Sequence, residues 1–280
     1  MTELPRPTRV LLTDPAHFEV RYVINAHMVG HVGTVDRARA RRQWEGLRAT
    51  YETLGLGVDV LPSVAGLPDM VFAANQCLPY QLPDGERGVV ISQMRTPERA
   101  PEVEYYAAYF SALGYVVRRF PKQLGHFEGT GDGLWHPGQF KLYGGYGYRT
   151  GSQAYDYLQA ELGVEAVRLE LVNPNFYHLD TCLSLLDGET ALVVPEAFTE
   201  AGMRALRANI PTLIEVPAAE ARELLACNAH CPDGHHVILQ AGAAQTEALL
   251  REAGYEPTPV ETGEYLKSGG SVFCLKLMYW

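Results

Sequence analysis

Residues 175–186 read NFYHLDTCLSLL, a run whose leucines suit a buried strand but which also carries His178 and Asp180. Burying an imidazole and a carboxylate is costly unless they are paired, so such a run points to a polar constellation inside the fold. Four other segments have the same mixed character: PDMVFAANQC at 68–77, GHFEGTGDGLW at 125–135, ELLACNAHCPDG at 223–234 and KSGGSVFCLKL at 267–277. Each follows an amphipathic helical stretch, near 37–54, 97–113, 152–162, 199–209 and 242–253, and then a short strand: VDVLP, YVVRRF, AVRLEL, TLIEVP or YEPTPVE. A further strand comes after the first four segments (GVVISQ, FKLYGGY, ALVVP, HVILQ). The fifth segment lacks one, which RVLLTD at 9–14 could supply.

A unit of about 45 to 60 residues recurring five times predicts a closed ring of modules that bury their apolar faces against one another. The alternative organisation is a mixed α/β sheet without internal symmetry. No linker or low-complexity segment divides the chain, so residues 1–280 are expected to form one domain. If the modules share a geometry, Asn75, Glu128, Asp132, His178, Asp180 and Cys274 all point toward one axis.

The composition narrows the partners. A net charge of −10 disfavours nucleic acid and anionic membranes and suits a small cationic ligand. No apolar run reaches the length of a membrane span, and the opening MTELPRPTRV has no basic-then-apolar pattern, so a cytoplasmic location is expected. The five cysteines are dispersed and odd in number, which fits reduced thiols. Cys77 and Cys182 read as packing residues. Cys274 differs, because Gly269 and Gly270 permit a positive φ or a close backbone approach beside it. Cysteine, histidine and carboxylates together describe sulfur attack on the carbon of a planar cation, for which guanidinium is the obvious candidate. In that chemistry a nearby cation or imidazolium would lower the Cys274 pKa, His178 would be acid and base, and Glu128 would orient it. Asp180, two residues from His178 on a strand, would present to the same face.

These residues resemble the guanidino-group modifying enzymes: arginine deiminase, dimethylarginine dimethylaminohydrolase, amidinotransferases and arginine dihydrolase. FEGTGD is similar to that superfamily's Glu-Gly-Gly-Asp element with one residue inserted, HLDT at 178–181 to its histidine motif, and SGGSVFCL to its C-terminal nucleophile motif. The resemblance spans essentially the whole chain and implies a five-bladed α/β propeller of ββαβ modules around a central pocket. It implies Cys274 as nucleophile, His178 as general acid and base, Glu128 as its partner and Asp180 as a guanidinium ligand, with no metal or organic cofactor. Arg95 in ISQMRTPER and Arg149 in YGYRTG are candidates for binding a substrate α-carboxylate. Where deiminases and dimethylarginine hydrolases have an aspartate, this chain has Asn75, whose amide could also hold a neutral ureido group. With Asn25 in YVINAHM, this is most similar to the arginine dihydrolases, which release ornithine. Asp180 separates the chain further from dimethylarginine hydrolases, which commonly lack it. Substrates in view are arginine or methylated arginine, and a homo-oligomer is compatible with the sequence.

Two readings of another class remain. Cys227, His230, Cys231, His235 and His236 lie within ten residues and form a zinc-like ligand set, though their spacing matches no standard finger. A non-catalytic arginine-binding module is the other, but a binder has no use for a poised thiol.

Overall fold

The computed structural model describes residues 3–280. The recurrence in the sequence becomes a recurrence of topology. Strand Cys77–Gln81 pairs antiparallel with Arg87–Ile91, helix Glu102–Ala112 crosses over, and strand Val116–Arg119 returns parallel to Arg87–Ile91. Strands Gly133–Trp135, Lys141–Tyr146 and Glu165–Glu170 repeat this around helix Gln153–Leu162. Strands Leu183–Leu185, Thr190–Val193 and Thr212–Glu215 do so around helix Glu200–Asn209.

In the fourth module, strands His236–Gln240 and Glu256–Val260 run parallel around helix Ala244–Glu252, but the antiparallel partner shrinks to one bridge between His230 and Ile238. The cause is local. Pro232 has no N–H, and Asp233 Oδ1 draws the amides of His235 and His236 into a turn at 2.9 and 2.8 Å. The fifth module joins the chain ends: Lys276–Tyr279 lies antiparallel to Arg9–Thr13, which pairs parallel with Gly57–Leu61 across helix Arg37–Thr53. The expected completion of this sheet by RVLLTD is therefore what closes the ring, and the architecture is a five-bladed α/β propeller.

Burial explains the pattern of the strands. The middle strand of each blade has helix on one face and the propeller interior on the other, so Val10, Leu11, Leu12 and Thr13 are all fully buried. The strand after each helix is half exposed. Helix Arg37–Thr53 buries Ala40, Trp44, Leu47 and Tyr51, one stripe at helical spacing. Asp36 caps it by accepting from the Arg39 amide at 3.0 Å. Among the described residues no helix is long and apolar enough to cross a membrane.

Two departures from the sequence reading matter for the site. The second helix begins at Glu102 rather than near Pro97, because residues 97–101 between two prolines form turns that carry Arg99 inward. The polar residues of the recurring segments also do not sit in strands. They occupy short helical turns and loops just before each blade's first strand: Asn75 before Cys77–Gln81, Glu128 and Asp132 around a turn at Gly129–Asp132, His178 and Asp180 at Leu179–Thr181, and Cys274 before Lys276–Tyr279.

Candidate active site

These blade openings converge on one pocket lined by Asn25, Asn75, Arg149, His178, Gly269, Gly270 and Cys274, together with Asp69, Arg99 and Tyr177. Seven of the residues singled out in the sequence are thus brought together. The two glycines do what their position predicts. Gly269 has φ +81°, and a Cβ there would lie 2.7 Å from the Tyr177 hydroxyl, which donates to the Gly269 carbonyl at 2.7 Å. A Cβ on Gly270 would strike the Phe72 ring. Asn25 secures the facing loop, donating to the Ser268 carbonyl at 3.0 Å and accepting from the Met28 amide at 3.2 Å.

Cys274 is held by two partners. Its thiol donates to Asp180 Oδ2 at 3.1 Å, and Asn228 Nδ2 donates to the sulfur at 3.2 Å. Asn228 also accepts from the backbone amides of Ser271 and Cys274 at 3.0 and 3.2 Å, so it fixes the loop that presents the sulfur. Burial and the adjacent Asp180 carboxylate push the Cys274 thiol well above its ordinary value, and the Asn228 hydrogen bond does not offset them. Burial likewise raises Asp180 to about 7, against the Cys274 hydrogen bond and the charge of Lys276. The expectation of a thiol lowered by a neighbouring cation is corrected here: the group nearest the sulfur is an acid. Alkylation of Cys274 by iodoacetamide should therefore keep rising from about pH 7 to about pH 9. Mass analysis of the C-terminal peptide reads this, and a rate already level at neutral pH would contradict it.

His178 and Asp180 do not share a face. His178 starts the turn Leu179–Thr181 and its Nε2 meets Glu128 Oε2 at 2.7 Å, whereas Asp180, inside the turn, faces Cys274. Glu128 is fully buried, yet its carboxyl stays well below the usual range, because the His178 hydrogen bond and the Arg149 charge outweigh desolvation. An ionised Glu128 can only accept, so Nε2 carries a proton and Nδ1 is the ring nitrogen left for other work. Arg149 Nη1 lies 3.3 Å from Glu128 Oε2, Nη2 donates to the Ile24 carbonyl at 3.0 Å, and the guanidinium stacks 4.8 Å over Tyr177.

Arg99 was not visible as a site residue in the sequence. It is buried, pairs with Glu102 at 3.0 Å, donates to the Asp69 carbonyl at 3.1 Å and donates through Nη1 to Asn75 Oδ1 at 2.9 Å. A guanidinium has no acceptor, so the Asn75 amide is held oxygen toward Arg99. Its Nδ2 is buried without a partner, against Gly131 and beside His178. Asp180 Oδ1 is likewise buried and unpartnered. One donor on a pocket-lining residue and one acceptor on the carboxylate that binds the thiol are thus left unsatisfied. Arg99→Met should destabilise the fold by about 3–5 kcal/mol, because Glu102 would remain as an uncompensated buried charge. Chemical denaturation reads this, and Arg99→Met with Glu102→Gln should recover part of the loss.

Three sequence assignments are corrected by position. The Arg95 side chain is exposed and outside the pocket lining; only its backbone amide takes part, donating to Glu128 Oε1 at 2.9 Å. Asp132 lies behind the pocket, accepting from Thr150 Oγ1 at 2.7 Å and the Leu179 amide at 3.0 Å, where it braces the histidine turn. The Cys/His set at 227–236 disperses. Cys227 is buried in the core and His230 Nδ1 meets the Tyr51 hydroxyl at 3.0 Å, while His235 and His236 face Glu256 at the surface. That surface trio is the metal-competent grouping among the described residues, and it contains no cysteine.

Comparison with known proteins agrees with this geometry. The family described as N,N dimethylarginine dimethylhydrolase, eukaryotic, matches residues 15–277. The N(G),N(G)-dimethylarginine dimethylaminohydrolase of Mycobacterium tuberculosis is 41% identical over 98% of this chain and 86% of its own. The bifunctional arginine dihydrolase/ornithine cyclodeaminase ArgZ of Synechocystis is 35% identical over 96% of this chain, which spans 37% of that longer protein. A crystal structure of the N-terminal domain of ArgZ covalently bound to a reaction intermediate superposes with a TM-score of 0.90 at 36% identity, covering 96% of this chain and 97% of that one. The chain belongs to the dimethylarginine dimethylaminohydrolase family of guanidino-group modifying hydrolases.

Proposed function

We propose that this protein is an arginine dihydrolase, converting arginine and two waters to ornithine, carbon dioxide and two ammonia. The observation that carries this is Asn75, which lines the Cys274 pocket and is oriented by Arg99 so that its Nδ2 is left buried without a partner, while Asp180, bonded to the thiol, keeps an unpartnered Oδ1. Guanidinium can donate to Asp180, and the carbonyl of a ureido group can accept from Asn75 while its N–H groups donate to Asp180. One pocket can therefore hold both the substrate and the citrulline formed from it.

In this reading the arriving guanidinium supplies a cation next to Asp180 and the sulfur, favouring ionised Asp180 and the Cys274 thiolate together. Sulfur attacks the guanidino carbon, His178 delivers a proton to the departing nitrogen, and ammonia leaves a thiouronium on Cys274. His178 then takes a proton from water, which attacks the same carbon; collapse frees the sulfur and forms citrulline. A second round expels the second ammonia and leaves a carbamate that breaks down to ornithine and carbon dioxide. Glu128 holds the imidazole at 2.7 Å, and Arg149 is the candidate partner for the α-carboxylate. The ArgZ domain has been seen covalently bound to a reaction intermediate, which supports a covalent cycle here.

A second reading, dimethylarginine hydrolysis to citrulline and dimethylamine, is favoured by the 41% identity with the mycobacterial relative. Incubation with arginine and, separately, with dimethylarginine separates the two. Ornithine with about two ammonia per arginine supports the dihydrolase. Citrulline as the sole product, or turnover of the methylated substrate alone, rejects it.

A further inference from the structure

We propose that the protein carries a second ligand site, separate from the Cys274 pocket, which binds a small monocarboxylate with an apolar body on the ammonium of Lys276. A cavity of about 120 Å³ lies where the last strand meets the segments Leu134–Pro137 and Cys231–Pro232, and it shares no lining residue with the Cys274 pocket. Its walls include Leu134, Trp135, Leu185 and Phe273. An apolar cavity of roughly 150 Å³ accommodates benzene, so a ring or short branched chain is the body this volume takes.

What distinguishes the cavity is its cation. Lys276 is buried, and its Nζ sits 3.2 Å from the centroid of the Phe273 ring. Among the described residues this Nζ has no hydrogen-bond or ion-pair partner, whereas three other polar wall groups are engaged. Trp135 Nε1 donates to the Pro79 carbonyl at 2.8 Å, His136 Nδ1 meets the Pro137 carbonyl at 2.9 Å, and His230 Nδ1 meets Tyr51. The titratable groups acting on Lys276 are Asp180, Cys274 and His230. Burial holds His230 neutral, and Asp180 is already bonded to the thiol. Burial also lowers Lys276 to about 7 even though the Asp180 and Cys274 charges act to raise it, and no counter-ion is in direct contact with the ammonium. A single carboxylate entering the cavity would supply that counter-ion. Exposed Arg6 at the lining would attract the anion from solution.

Calorimetric titration of the full chain with benzoate, and in parallel with benzyl alcohol, tests this. Benzoate is expected to bind at least about tenfold more tightly than the alcohol. At about pH 8 its binding should take up protons, read from buffers of different ionisation enthalpy, because the anion re-protonates Lys276. Lys276→Met should reduce benzoate to the affinity of the alcohol. Leu185→Trp, which fills the cavity and keeps the charge, should abolish binding of both. If either variant fails to fold, the other variant and the proton uptake still decide. Benzoate affinity unchanged in the folded variants would place the anion elsewhere and overturn the proposal, as would absence of binding at millimolar benzoate.

Discussion

Cys274→Ala is expected to lower turnover of arginine by on the order of 10⁴-fold or more while leaving the propeller folded. No other group in the pocket can replace sulfur. Asn75 and Asn228 are amides, Asp180 serves the thiol, Ser268 donates its hydroxyl to Asp69 Oδ1 at 3.1 Å, and Tyr177 is buried with its hydroxyl committed to the Gly269 carbonyl. Truncation to alanine removes one buried atom and leaves Asp180 Oδ2 without its donor, at a cost of about 1–3 kcal/mol. Asn228 keeps its bonds to the Ser271 and Cys274 amides and to the Asp180 carbonyl, so the loop stays in place. Circular dichroism and thermal unfolding check the fold, and ammonia release checks the rate. Ammonia production persisting at more than a few per cent in a folded variant would remove Cys274 as the nucleophile.

Asn75→Asp is expected to change the product rather than merely the rate. A carboxylate there would pair with Arg99 through one oxygen and present the other where Nδ2 now stands. It would strengthen the hold on a guanidinium but face the carbonyl oxygen of a ureido group with a second acceptor. The first hydrolysis should continue and the second should fail, so that citrulline accumulates and ammonia falls from about two to about one per arginine. Chromatography of the amino-acid products reads this directly. Ornithine still formed with about two ammonia would show that Asn75 does not govern the second step.

The recurrence of helix, strand and mixed segment was legible because it rests on hydrophobic periodicity, which each module repeats. It led to the five blades and to closure by Arg9–Thr13. The sequence also identified Cys274, His178, Glu128 and Asn75 as a set. It misjudged the local backbone, taking the segments for strands. Alternation would put His178 and Asp180 on one face, but the turn at Leu179–Thr181 sends one to Glu128 and the other to Cys274. Arg99 was hidden because its inward path depends on the turns at 97–101, which read as the start of a helix. Asn228 was within reach: it lies two residues before the first bridged residue of its module, His230, as Asn75 and Cys274 lie two residues before Cys77 and Lys276. The elevated Cys274 thiol was not legible at all, since it depends on burial and on which acid lies closest.

The most direct test of the central claim uses His178→Gly and S-methyl-L-thiocitrulline, a substrate analogue whose methylthiolate departs without needing a proton from the imidazole. With the base for the second step removed, sulfur attack should go forward and hydrolysis should stall. Intact-mass analysis is predicted to find one adduct per chain, located by peptide mapping on Cys274. A folded variant that forms no adduct, or carries it on another residue, would contradict the account.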